Sequence, residues 1–433
     1  MLRAILVYAL YGTGTVLGLS ATAYACSFFI WSEIFRPTSF ARGFAELPEA
    51  YVVGAVLLLS VLIRRWKRRW NPVATVLAVM VGWILICALF AQSQVVAWKA
   101  ASFYLKYLIP LLIISISLVT RFSQNLFVWT LAASVGIWSA QSGVHALLQG
   151  GPQTNLSIPG GQMTDRNDFM VGIVAAVPLI AYTAWCYRGV FQRWIRIVAK
   201  IALILSIIVV PLSLSRGGTI GLSVLLLYYM IATGKFRKRF ILGAIVICAA
   251  LTLVPTFVTQ RMTTIDMSTE HQSEGSAASR LNLIKCGTEM ALDHPIVGVG
   301  PGNFKYIVMS YGHPGQHDPH NIWIKAATEY GFPMLILFLM ILGLLLRGLM
   351  SEAKRSRVEG DREADLMATA LACSIVGFLA SATFTSHFLS EYFWATTAVA
   401  GAFLARREHE RRTAPLLRPD EADENPARQP ARV

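Results

Sequence analysis

The stretch Arg64-Arg65-Trp66-Lys67-Arg68-Arg69 packs five cations into six residues and lies between two apolar runs, residues 48–63 and 73–92. A basic segment between runs long enough to cross about 30 Å of hydrocarbon marks a loop kept on the cytoplasmic side of a membrane. Outward from it the pattern repeats. Further apolar runs cover 5–31, 103–119, 125–148, 169–186, 195–214, 217–233, 240–258, 333–349, 365–384 and 392–405, and basic connections fall at 188–200, 235–239, 354–362 and 406–412. Successive basic segments are separated by an even number of runs, so all of them share one side, as do both termini. The reading is an all-α polytopic membrane protein of about twelve transmembrane helices. Residues 1–258 hold the first nine spans, 259–332 one long, partly helical outer loop, 333–405 the last three spans, and 406–433 a disordered cytoplasmic tail.

Composition agrees. The 433 residues are 55% hydrophobic and 14% charged, with mean hydropathy +0.54, which leaves too little polar surface to clothe a soluble domain. The net charge of +14 is bunched beside apolar runs rather than spread along a face with interleaved aromatics, so it orients the chain in a bilayer and does not mark a nucleic-acid binder. Run 5–31 is too long for a signal-peptide core and reads as a retained first span. Six cysteines, none in C-x-x-C spacing and most within apolar runs, are expected as small buried hydrophobes.

Cations are depleted from the outer loops, so those that remain there carry information. Arg216 sits in Ser213-Leu214-Ser215-Arg216-Gly217-Gly218-Thr219, a short break between two apolar runs. A cation there must snorkel to lipid phosphate, pair, or bind an anionic ligand. Glycines at 217 and 218 allow a ligand close to backbone N–H groups at a helix start, which also favours an anion. Arg280 is expected in the first turn of a helix near 278–292, where the macrodipole opposes a cation, so it is either solvated or put there for another use. Arg166, in Thr164-Asp165-Arg166-Asn167-Asp168, has a carboxylate on either side and reads as a surface ion pair or, with Asn167, as a substrate contact.

Three of the eight histidines lie in Gly312-His313-Pro314-Gly315-Gln316-His317-Asp318-Pro319-His320-Asn321. Asp318-Pro319 has the form of an N-cap and first helical residue, which predicts a helix from there to Gly331 with His320 in its first turn, kept neutral by the helix's positive end. The spacing of His313, His317 and His320 interrupts any regular helical face, and the outer loops hold no paired-carboxylate motif. Neither a metal nor another cofactor is expected.

At these residues the chain resembles the O-antigen ligase family. The resemblance rests on Ser215-Arg216-Gly217-Gly218 at a helix break, on Ser279-Arg280 through His294-Pro295-Ile296-Val297-Gly298-Val299-Gly300-Pro301-Gly302-Asn303-Phe304, and on His320-Asn321 before an apolar helix, and it spans roughly 160–335. The resemblance implies a fold like that of the C-type glycosyltransferases and metal-independent transfer of a polysaccharide from undecaprenyl pyrophosphate to lipid A-core, on the periplasmic face of the bacterial inner membrane. It also implies catalytic roles for Arg216, Arg280 and His320. Arg166, Asn167, Gly217, His317 and Asn321, beside them in sequence, are expected as substrate contacts. Physically, guanidinium forks bind phosphates bidentately and keep their charge, while a histidine serves as base for the acceptor hydroxyl or positions it. An O-antigen polymerase, a protein O-oligosaccharyltransferase and, from another class, a polysaccharide-lipid transporter share the span pattern. A transporter is expected to hide ionisable groups near the bilayer midplane, where Lys106 is the main candidate.

Overall fold

A computed structural model describes residues 2–40, 49–63, 67–149, 156, 158, 162–186, 190–234 and 277–413. Among these the regular structure is helical: α1 Leu2–Ser20, α2 Thr22–Phe35, α3 Glu49–Ile63, α4 Pro72–Leu89, α5 Gln94–Ser117, α6 Arg121–Gln149, α7 Arg166–Cys186, α8 Val190–Leu212, α9 Arg216–Thr233, α10 Ala277–Asp293, α11 Ile322–Val358, α12 Arg362–Ala382 and α13 Glu391–Thr413. Seven of them, α4, α5, α7, α8, α9, α11 and α12, are long and apolar enough to cross a membrane. The expected span at 240–258 lies outside the described residues, as do Cys248, residues 259–276 of the outer loop and residues 414–433 of the tail.

Helices α7 and α12 form the centre. They are the most buried of these seven, and α12 packs against α7, α9 and α11. Close approach needs small residues: a Cβ on Gly221 of α9 would meet Ser381 Oγ of α12 at 1.7 Å, so only glycine fits. Ser374 Oγ donates to the Ala175 carbonyl at 2.6 Å and joins α12 to α7 inside the core. Four of the five described cysteines are buried, Cys186 is half-buried, and all are free.

The connections sort to two ends of this bundle. At one end Arg121 pairs with Glu363 and Asp361, Arg407 with Glu352, and Arg357 with Asp365, while the Arg357 guanidinium also donates to the Ala232 carbonyl. Arg69 N donates to Ile116 O, and Arg406 donates to Gln124. Among the described residues, the basic segments 354–362 and 406–412 thus meet in space. At the other end lie residues 162–168, 213–217, 313–321 and 383–391, joined by the bonds described below.

Several sequence expectations change. Run 5–31 is not one helix, because Ala21 is extended and the chain folds back. Tyr11 Oη lies 2.7 Å from Ser32 Oγ and donates to Glu49 at 2.9 Å, as antiparallel packing of α1 on α2 requires. The start of α1 therefore lies on the same side as Pro37–Phe40, and the even count that places Met1 with the basic loops gains a turn there. Residues 94–102, expected as an outer loop, are the first turns of α5. The tail is helical as far as Thr413, with Arg406, Arg407 and Arg411 in ion pairs. Lys106 lies mid-way along α5 with its ammonium 5.1 Å from the Tyr51 ring centroid.

Helix α11 holds a break. Gly331 has φ 75° and ψ 174°, and a Cβ there would lie 1.9 Å from the Ile296 carbonyl oxygen. The segment 295–300 runs against this break. Val299 N donates to Thr328 O, Gly300 N to Glu329 O and Phe332 N to Pro295 O, so carbonyls freed where residues 322–330 end are satisfied from outside the helix. Trp83 Nε1–H donates to the Tyr330 carbonyl at 2.9 Å. This clasp explains the close-set glycines of 298–302 and fixes the turn of helix that carries the histidine loop.

Candidate active site

The start of α9 is set by Ser215, whose Oγ accepts the Gly218 N–H at 3.3 Å as an N-cap. The same hydroxyl donates to Asn167 Oδ1 at 3.0 Å. Asn167 belongs to the first turn of α7, where Asp165 Oδ1 accepts the N–H groups of Asn167 and Asp168. Two helix N-termini are therefore tied side by side, each with an arginine at its first position: Arg166, half-buried, and Arg216, exposed. A cation at a helix N-terminus is opposed by the macrodipole, so both sit where an anion is wanted. Gly217 packs on Phe384, with space for a Cβ only at 3.1 Å from Phe384 Cβ.

Arg280 occupies the first turn of α10, as the sequence predicts. Its Nε is buried and has no hydrogen-bond partner among the described residues, and neither Arg216 nor Arg280 has an ion-pair partner among them. A buried guanidinium N–H without an acceptor is costly unless a ligand supplies one. Next to it, Ser279 Oγ lies 3.5 Å from Nε2 of His313, a buried residue whose ring sits 5.1 Å from that of His317.

The histidine loop departs from its predicted form. Helix α11 starts at Ile322, not at Pro319, because Asn321 is the N-cap and accepts from Trp323 N and Ile324 N. Asp318 instead pairs with Lys325 Nζ at 2.7 Å, and Lys325 also lies 3.7 Å from the fully buried Glu329. His320 precedes the helix with φ 46°, a left-handed backbone, and its N–H donates to Ser386 Oγ at 2.9 Å. Its imidazole is still held below the ordinary histidine pKa, but by burial first and then by the charge of Arg280, rather than by a helix of its own. Lys325's charge and hydrogen bond outweigh burial and keep the Asp318 carboxyl low.

Residues 383–390 connect these pieces. Besides Ser386, Thr383 Oγ1 accepts the Trp323 indole N–H at 3.1 Å, Phe384 covers Gly217, and His387 Nε2 lies 2.8 Å from Asp168 Oδ2. The segment thus touches the starts of α7, α9 and α11 together.

Residues 201–339 match the model of the O-antigen ligase family. That match supports the O-antigen ligase family for this part of the chain. The matched region holds Arg216, Arg280 and His320, and it supports an activity of the O-antigen ligase or polymerase type. Residues 2–189 match a second family, of unknown function. None of the curated proteins matches the chain.

Within the matched region, His320 and Arg280 lie close enough for the arginine's charge to act on the imidazole, and Arg216 heads the neighbouring helix. Asn167, Gly217 and Asn321 already have structural partners: Ser215, Phe384 and the first N–H groups of α11. The residues that sequence reading passes over are Ser386, His387, Lys325 and the role of Asp168. Their only sequence signal is a lone histidine in a short outer connection, 385–391, whose partner stands far away along the chain. Among the described residues no group of three or more His, Cys, Asp or Glu side chains is placed to hold a metal ion.

Proposed function

We propose that this chain transfers a glycan from undecaprenyl pyrophosphate to a sugar hydroxyl of lipid A-core, at the periplasmic face of the inner membrane. The observation that carries the reading is the pair of arginines in first helical turns, without ion-pair partners among the described residues, with a histidine whose pKa is lowered by burial and by the charge of one of them, Arg280. On this reading Arg216 and Arg280 grip the two phosphates, helped by the N–H groups that open α9, and stabilise the charge that develops on the leaving pyrophosphate. The acceptor oxygen forms its bond to the anomeric carbon as the bond to phosphate breaks, and His320 takes the hydroxyl proton or positions the hydroxyl. One direct displacement inverts that carbon.

The reaction so written is metal-independent, because two guanidiniums supply the charge. The carboxylates nearby are committed elsewhere: Asp165 to the amides of α7, Asp168 to His387 and Asp318 to Lys325. The bundle end formed by the arginine-rich connections is assigned to the cytoplasm together with the end of α13, and the opposite end to the periplasm.

The test is transfer by purified protein from a lipid-linked glycan to three offered acceptors: lipid A-core, a second lipid-linked glycan, and a peptide. Mass gain by lipid A-core supports the reading. Gain by either of the others alone replaces it with a polymerase or a protein glycosyltransferase.

A further inference from the structure

His387 lies outside every motif that marks the family in this sequence, yet it stands beside the site. Its Nε2 is 2.8 Å from Asp168 Oδ2, the residue before it, Ser386, takes the backbone N–H of His320, and Asp168 follows the Asn167 that ties down the start of α9. The imidazole is 38% exposed, and its second nitrogen, Nδ1, has no hydrogen-bond partner among the described residues. An imidazole whose Nε2–H is fixed by a carboxylate can only accept at Nδ1 when neutral and can only donate there when charged. An oriented nitrogen of this kind, at the bundle end where Asn167 ties down the start of α9 and Ser386 holds His320, is arranged to meet a ligand.

We propose that His387, oriented by Asp168, is a third cationic ligand of the lipid pyrophosphate and donates from Nδ1 to a phosphate oxygen beside Arg216 and Arg280. The inference rests on the pyrophosphate reading given above. Charge balance favours it. Asp168 of α7, Asp318 of the histidine loop and Glu391 at the start of α13 surround the imidazole with negative charge, against Lys325 of α11. Burial would push its pKa down, but the hydrogen bond and charge of Asp168 outweigh burial and raise it, the opposite direction to His320. Two histidines attached through Ser386–His387 and His320 to the same few residues are thus biased to opposite protonation states. That division suits one that accepts a proton and one that grips an anion.

The experiment is equilibrium binding of undecaprenyl diphosphate to the full chain in detergent, from about pH 6 to about pH 9, for wild type, His387→Gln and Asp168→Asn. Wild-type affinity is expected to fall as His387 loses its proton. His387→Gln should bind about tenfold more weakly at the acid end, the worth of one charge-assisted hydrogen bond, and should match wild type at the alkaline end. Asp168→Asn keeps a hydrogen-bonding partner but removes the charge, so its fall should move to lower pH. A His387→Gln deficit of the same factor at every pH makes His387 a merely structural residue and overturns the inference. So do curves for all three proteins that superpose. Failure of all three to bind at any pH overturns the pyrophosphate reading itself, and the inference with it.

Discussion

The backbone N–H of His320 donates to Ser386 Oγ across 2.9 Å while His320 itself holds φ 46°. Left-handed backbone costs a residue with a Cβ about 1–2 kcal/mol, so it persists only where surrounding contacts impose it. Here they act on both sides: Asp318 is anchored to Lys325, two residues before His320, and Asn321 caps α11 immediately after it. The strain falls on the histidine whose imidazole feels the charge of Arg280.

Ser386→Ala removes the acceptor of that N–H and nothing from the arginines. The bond is worth about 1 kcal/mol, so transfer is expected to slow about five- to tenfold with donor affinity unchanged. Single-turnover transfer and donor binding measured on the same preparation check this. Weakened donor binding at an unchanged transfer rate would show that the serine serves the phosphates instead.

Lys325→Met leaves Asp318 and Glu329 without their cation, and Glu329 is fully buried. Breaking a buried pair from one side typically costs about 3–5 kcal/mol. The variant should unfold at markedly lower temperature in detergent. An unfolding midpoint equal to wild type would mean that the ion pairs at 318–329 do not hold the histidine loop.

Gly331→Ala places a Cβ 1.9 Å from the Ile296 carbonyl in a backbone region open only to glycine. The expected loss is about 3 kcal/mol or more. Gly343→Ala, in the same helix but facing open space, is the control and should be near neutral. Equal stability of the two variants by thermal unfolding would remove the clasp of 295–300 from the account.

The pH dependence of transfer follows from the direction of the His320 shift. A base must be neutral to act, and a lowered pKa keeps it neutral further into acid, so the acid limb of the rate should fall below the ordinary histidine value of about 6.5. Arg280→Ala removes one of the causes of that lowering but leaves the larger one, burial. The limb of its residual activity should therefore move upward without reaching the ordinary value. A limb that stays in place would separate Arg280 from His320.

Part of the bundle is legible in the charge pattern: Arg69, Arg121, Arg357 and Arg407, each beside an apolar run, share one end. The turn at Ala21 is not legible: its flanks are as apolar as a continuous span, and only packing of Tyr11 on Ser32 and Glu49 reveals it. The Asp318-Pro319 pair mimics a helix start, but Lys325 lies within reach of the carboxylate and Asn321 takes the cap, so tertiary pairing overrides the local signal. Arg216, Arg280 and His320 stand out in sequence because each is chemically unusual for its place. The Asp168–His387 pair does not, since hydropathy says nothing of which polar groups meet across α7 and the 383–390 connection.

The most direct test of the central claim pairs lipid-linked donor binding with single-turnover transfer for Arg216→Ala, Arg280→Ala and His320→Ala, each shown to be folded in detergent. Loss of either arginine should weaken donor binding by about 2–5 kcal/mol, whereas His320→Ala should bind donor nearly as wild type and transfer roughly 10²- to 10⁴-fold more slowly. Full transfer by folded His320→Ala, or undiminished donor affinity in both arginine variants, would contradict the account.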